Sequence, residues 1–387
     1  MNFLKISTSS FLALVLISCS EKKKIIPGTS LELANERQQT ITNLKYALFF
    51  DIPASQKDSI PATVTIRFDL KNTADVLQLD FDAPATNLKK INVNNKDIRL
   101  IWENEHILID KKYLTDGPNA VSIGFIAGEK ALNRNPDYLY TLFVPSRAAS
   151  CFPVFDQPDL KAIYHLELNI PSDWHAVSNG KTISIDSSGT KKRYSFNDTK
   201  PTSTYQFAFT AGKFFKASNA EGDMTIYYRE TDTAKVARNL AKIFELHREA
   251  LTWLKDYTKI DYPYEKFDFV LMPAFQFGGM EHPGNIFYKE GERSLFLEAS
   301  ASVNEELGRA GLIAHETAHM WFGNLVTMKW FNDVWLKEVF ANFMAAKIVD
   351  PDFPQINHDL RFLMSHYPSA YAIDRSEGAS PRSAAIG

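Results

Sequence analysis

Between about Ile41 and Phe215, apolar and polar residues alternate over short runs. Ala62-Thr63-Val64-Thr65-Ile66-Arg67-Phe68-Asp69-Leu70 has a period of two, as do Tyr164–Ile170 and Tyr205–Phe209. Such alternation puts every second side chain on one face of a sheet. Turn-forming clusters separate the runs: Asp116-Gly117-Pro118-Asn119, Ser178-Asn179-Gly180 and Ser187-Ser188-Gly189. They predict a β-rich, mainly antiparallel domain over residues 40–221. From about Gly222 the period lengthens. Thr233–Thr258 carries Val236, Leu240, Ile243, Phe244, Leu251 and Leu254 on one stripe, as a helix does. Phe267–Met272 reads as a strand. Gly311–Val326 reads as a buried helix, with Leu312, Ala314, Ala318, Met320, Trp321 and Phe322 around a few polar residues. Asp333–Val349 reads as a second helix, stopped by Asp350-Pro351. The fold class is therefore α+β and multidomain, with the second domain over residues 222–387.

Net charge is −3 in 387 residues, which gives no general attraction to nucleic acid or acidic lipid, so no nucleic-acid partner is expected. The first residues stand apart from the fold. Lys5 precedes the apolar stretch Phe11–Ile17, too short to span a bilayer but suited to a signal-peptide core. The stretch ends in Leu16-Ile17-Ser18-Cys19, which resembles a bacterial lipoprotein box, where the cysteine becomes the mature N-terminus and carries lipid. Residues 1–19 are thus expected to be a lipoprotein signal, and residues 20–39 a tether opening with Ser20-Glu21-Lys22-Lys23-Lys24. The expected location is an exported bacterial lipoprotein, membrane-anchored on the periplasmic or cell-surface side. With Cys19 so used, Cys151 is the one cysteine left, and no internal disulfide forms.

The two helices after residue 311 carry the chemistry. His315 and His319, in His-Glu-Thr-Ala-His, are four residues apart, so both imidazoles fall on one helix face and reach one ion. Glu338 follows His319 after 18 intervening residues and brings a carboxylate from the second helix. Three protein ligands leave a fourth position open, the mark of a catalytic zinc site, with one zinc per chain. Glu316 is beside a ligand without being one, so it can take a proton from water and return it to a leaving amine. Upstream lies Phe277-Gly278-Gly279-Met280-Glu281-His282-Pro283-Gly284. Paired glycines let a backbone pass close to a ligand. Glu281 would then present a carboxylate beside the metal. Alone, the segment reads equally as a Gly-Gly turn before a solvated Glu.

Together these motifs resemble the zinc aminopeptidase family of aminopeptidase N and leukotriene hydrolase, peptidase family M1, over about Thr40 to Gly387. The resemblance rests on Phe152-Pro153-Val154-Phe155-Asp156-Gln157-Pro158-Asp159-Leu160-Lys161-Ala162, on Gly278–Glu281 and on the run from His315 to Asn342. It implies an N-terminal β domain packed on a thermolysin-like catalytic domain that is incomplete at its C-terminus. It implies zinc on His315, His319 and Glu338, with Glu281 recognising the free α-amine of a peptide. Gly278, Gly279, Met280 and His282 complete the expected substrate-binding set. Asn342, one turn after Glu338, is expected either to accept a hydrogen bond from a ligand histidine or to face solvent.

Three departures from the family bear on activity. His282 replaces the usual asparagine. Leu142 and Val144 fall where many members carry a glutamine and a second acid. The tyrosine that stabilises the oxyanion has no counterpart in the 49 residues after Glu338, since Tyr367 and Tyr371 lie too close to it. The chain is expected to be truncated, a poor peptidase even with zinc, with Trp321, Phe340 and Phe343 partly exposed. Three alternatives share these residues: a zinc endopeptidase, an epoxide hydrolase side activity, and a zinc- and peptide-binding remnant without turnover.

Overall fold

The computed structural model describes residues 24–72, 76–291 and 295–375. The expected signal segment, Cys19 and the first residues of the expected tether lie outside these. Alternation in the first half is realised as sheet. Ile41–Asp51 is central in an eight-stranded sheet, antiparallel to Pro61–Leu70 and parallel to Ile163–Pro171. Its inward residues Tyr46, Leu48 and Phe50 are buried, with Val64, Ile66 and Phe68 from one neighbour and Tyr164, Leu166 and Leu168 from the other. Tyr164 stacks between Tyr46 at 5.1 Å and Phe207 at 4.2 Å. The period-two reading of Tyr205–Phe209 is corrected: Thr204–Gln206 is a 3-10 turn and the strand is Phe209–Gly212. Side-chain bonds bend this stretch. Thr204 donates to Asp156 Oδ1 at 2.6 Å, and Gln206 Nε2 donates to the Gly323 carbonyl at 2.8 Å.

A short helix, α1 (Leu31–Thr40), precedes the first strand, with Ser30 as its N-cap. The residues before it are fixed as well. Asn104 Nδ2 donates to the Ile25 carbonyl, His106 Nε2 lies 3.0 Å from the Ile26 carbonyl, and Thr29 donates to Asp80 at 2.9 Å. Asp80 also takes both Arg37 terminal nitrogens, at 2.7 and 2.5 Å. Part of the expected tether is therefore docked on the β domain.

The second half is a five-stranded sheet backed by helices. It starts at Phe215–Ser218, before the change of period seen in the sequence, and ends in Gly279–Met280 at an edge. α2 (Thr233–Thr258) has the bounds its stripe predicts and lays Val236, Ile243 and Leu254 on the core. α3 (Val303–Ala318) does not: the expected Gly311–Val326 helix starts and ends eight residues too late. Ser302 and Glu305 form a capping box that sets the true start. Beyond Ala318 the chain coils back through Gly323, which has a φ of 131° that only glycine adopts readily. α4 (Val334–Val349) follows a 3-10 turn at Phe331–Asp333. α5 (His358–Asp374) ends the described chain. Phe340 and Phe343 are exposed, but Trp321 is buried and its indole donates to the Ile260 carbonyl at 3.1 Å.

Candidate active site

The last turns of α3 bring His315, Glu316 and His319 to the base of a cleft of about 1080 Å³. The first turns of α4 bring Lys337 and Glu338 to the same place, and the edge strand Gly279–Met280 runs along one wall. Gly28–Leu31, from the docked N-terminal segment, and Val144–Ser146, from the β domain, also line the cleft.

The residues fit a zinc ion. His315 Nε2 and His319 Nε2 are 3.0 Å apart, and each is 3.5 Å from Glu338 Oε2. Tetrahedral ligands at about 2.0–2.1 Å from zinc stand about 3.3 Å from one another. His319 Nδ1 donates to the Phe322 carbonyl at 3.0 Å, which fixes the tautomer and leaves Nε2 a lone pair. That carbonyl is the partner of His319; Asn342 lines the cleft. Glu281, Glu316 and His319 also place one ligand atom each within 4.8 Å of one another. The first set is the better cage, because two imidazoles and one carboxylate oxygen stand within 3.5 Å of one another; an ammonium engages both acids, Glu281 and Glu338.

That ammonium is Lys337, to which the sequence reading gave no role. Its Nζ is 2.6 Å from Glu281 Oε1 and 2.6 Å from Glu338 Oε1. Glu281 is buried, which alone would raise its pKa. The Lys337 ammonium, with His319 behind it, outweighs burial and holds Glu281 down to about 2. Glu338 lies well below the usual range, with burial again opposed first by Lys337. Lys337 is correspondingly pushed far up and stays charged.

Glu316 has the opposite environment. It is buried, and its Oε2 has no hydrogen-bond partner among the protein atoms. Burial, with the negative charges of Glu281 and Glu338, pushes it up to about 8 against the pull of His315. A bound divalent cation acts the other way and favours the carboxylate. A buried carboxylate oxygen without a donor is a place for a water proton. Gly279 packs against this side chain so closely that a Cβ there would overlap the Glu316 carboxylate.

Gly278, Gly279, Met280 and Glu281 all line the cleft. His282, expected among them, does not. After Met280 the chain turns, with the His282 amide bonded to the Met280 carbonyl, and the ring is fully buried against Phe287 at 4.6 Å. Burial holds His282 down to about 3, so it is neutral, with both ring nitrogens unpartnered. Leu142 is buried in the core, and Val144 gives the cleft wall an apolar surface. Tyr367 and Tyr371 are exposed on α5, outside the cleft.

Comparison with known proteins finds family matches in both halves of the chain. Residues 243–387 match the peptidase family M1 domain, and residues 119–206 match the peptidase M1 N-terminal domain. The chain is 31% identical over 314 residues to probable aminopeptidase 1 of Sulfurisphaera tokodaii, covering 79% of this chain and 39% of that protein. It is 29% identical over 342 residues to aminopeptidase N of Streptomyces lividans, covering 83% of this chain and 38% of that protein. With the puromycin-sensitive aminopeptidase of Caenorhabditis elegans it shares 29% over 299 residues, 76% of this chain and 31% of that protein. The chain thus spans about two fifths or less of the length of these relatives.

Proposed function

Since the chain belongs to peptidase family M1, with its β-rich N-terminal domain followed by a catalytic domain, we propose that the cleft removes single residues from the free N-terminus of peptides with one zinc per chain. One observation carries this reading. The Glu281 carboxylate has an oxygen within 4.8 Å of both Glu316 and His319. The nitrogen of an amino acid is about 2.5 Å from its own carbonyl carbon. An α-ammonium bonded to Glu281 therefore brings the first peptide bond, and no later one, to His315, His319 and Glu338. With no second acid at Leu142 or Val144, the anchor is Glu281 itself.

His315, His319 and Glu338 would hold a zinc ion, which would supply Lewis acidity to polarise a carbonyl and lower the pKa of water towards ~7. The remaining work falls to side chains. Glu316 Oε2 takes a proton from the attacking water and passes it to the leaving amine. Gly279, on the edge strand, offers backbone groups for a peptide main chain to pair with, beside Gly278, whose carbonyl accepts from the Lys289 amide. This positioning converts binding into rate. Glu281→Ala tests the reading: kcat/KM should fall far more for aminoacyl amides with a free amine than for their N-acetyl counterparts. A charge-assisted bond of this kind is worth ~1.5–3 kcal/mol. Equal losses on both substrates would leave the amine anchor without support.

We also propose that the protein is exported and held on a bacterial membrane by lipid on Cys19. The apolar run Phe11–Ile17 and the segment Leu16–Cys19 support this. Among the described residues no helix is long and apolar enough to cross a membrane. Cys19→Ser should abolish lipid addition and shift the protein out of the membrane fraction. A mature N-terminus elsewhere, without lipid by mass spectrometry, would end this proposal.

A further inference from the structure

Lys337 takes no part in the proton transfers above, yet its surroundings are built for it. Its side chain is 9% exposed, and a buried ammonium carries a large desolvation cost unless carboxylates surround it. The stem runs over Gly323. A Cβ on that residue would stand 3.3 Å from Lys337 Cδ and 3.1 Å from His319 Nδ1, in a backbone conformation already disfavoured for other residues. The β domain supplies the far side: the Tyr205 ring lies 5.7 Å from Nζ, and Gln206 Nε2 holds the Gly323 carbonyl at 2.8 Å. Elements from both domains therefore converge to place one ammonium between two carboxylates.

We propose that Lys337 is a positioning residue that divides the oxygens of Glu281 and Glu338 between structure and function. Nζ takes Oε1 of each, at 2.6 Å. In Glu338 this leaves Oε2, the oxygen that stands 3.5 Å from both ligand imidazoles, so the carboxylate meets a metal through one atom. In Glu281 it leaves Oε2 for the ammonium of a substrate. An ammonium is a compact donor with three protons and can bond two carboxylates at once without imposing a plane on either. A neutral side chain of the same length frees both carboxylates to rotate. Glu338 can then offer two oxygens, and Glu281 loses its aim. The amine half of this inference rests on the aminopeptidase reading; the ligation half does not.

The test uses the full chain with Lys337→Met, freed of zinc and loaded with cobalt(II). Its visible absorption should weaken and shift as a second Glu338 oxygen joins the ligands; a wild-type spectrum in the folded variant overturns the ligation half. Binding of leucine amide and of N-acetyl-leucine amide is then measured calorimetrically on the zinc forms. The preference for the free amine should fall about tenfold, the size of losing the aim of one charge-assisted bond. An undiminished preference overturns the amine half. No preference in the wild type would count against the aminopeptidase reading, while the cobalt spectrum still decides the role of Lys337. Should Lys337→Met not fold, the pair Lys337→Met with Glu281→Gln leaves neither of those two charges alone. The cobalt comparison then carries the same two outcomes.

Discussion

Asp80→Ala should destabilise the β domain by about 4 kcal/mol. Asp80 is 3% exposed and accepts Arg37 Nη1 at 2.7 Å, Arg37 Nη2 at 2.5 Å, Thr29 at 2.9 Å and the Asp156 amide at 2.8 Å. His106 Nδ1 lies 2.9 Å from Oδ1, the oxygen that also takes Arg37 Nη2. Burial alone would raise its pKa, but Arg37 and His106 hold the carboxyl well below the usual range. Truncation leaves the Arg37 guanidinium, itself 2% exposed, without a counter-charge. Breaking a buried pair from one side costs ~3–5 kcal/mol, a large share of the ~5–15 kcal/mol of a typical domain. For a domain of this size the melting temperature should drop by about 10 °C. Calorimetry reads that drop, and hydrogen exchange should rise across residues 25–40, where Thr29 and α1 lose their anchor. The double variant Arg37→Met, Asp80→Ala strands no charge and should recover more than half the loss. A single variant within ~1 kcal/mol of wild type, or a double variant no better than the single, would refute the reasoning.

Glu338→Ala should lose zinc by metal analysis of purified protein; full retention would remove it from the ligand set. Glu316→Gln should keep fold and zinc but lose ~10²–10⁴ in kcat, because an amide cannot accept the proton of water; half the wild-type rate would remove the role. Burial holds His247 down to about 3, so in the folded chain it is neutral, donating from Nδ1 to the Ile243 carbonyl at 2.7 Å and accepting from the Tyr288 hydroxyl at 3.0 Å. The unfolded chain binds that proton near pH ~6.5, so stability is present above this value and falls towards about 3 by ~1.4 kcal/mol per pH unit. Denaturant titrations of His247→Phe should show a shallower acid slope, and an unchanged slope would place the proton uptake elsewhere.

What the sequence made legible is what depends on local spacing. His315, His319 and Glu338 could be placed because a helical turn and a short connection fix where they meet. α2 could be bounded because its stripe is long and Asp232 caps it. The start of α3 was missed because the Ser302–Glu305 capping box lies upstream of the apolar pattern that drew attention. Lys337 was missed for a different reason. Its meaning depends on Glu281, 56 residues away, and on burial that periodicity does not encode. His282 shows the limit of motif position: one residue after the cleft wall, a turn carries it into the core.

The docked N-terminal segment sets a length scale. Asn104 grips the chain at Ile25, six residues after Cys19. An extended chain advances about 3.3–3.6 Å per residue, so at most about 20 Å separates the proposed lipid site from that grip. Three residues later Gly28 is already part of the cleft wall, within a further ~10 Å. A compact chain of this length spans about 55 Å. With Cys19 in a membrane, the mouth of the cleft is leashed to the near half of the molecule. On the proposed function, the peptide ends it would meet first are those displayed at the bilayer surface, and the few residues between Cys19 and Ile25 would set how far out it works.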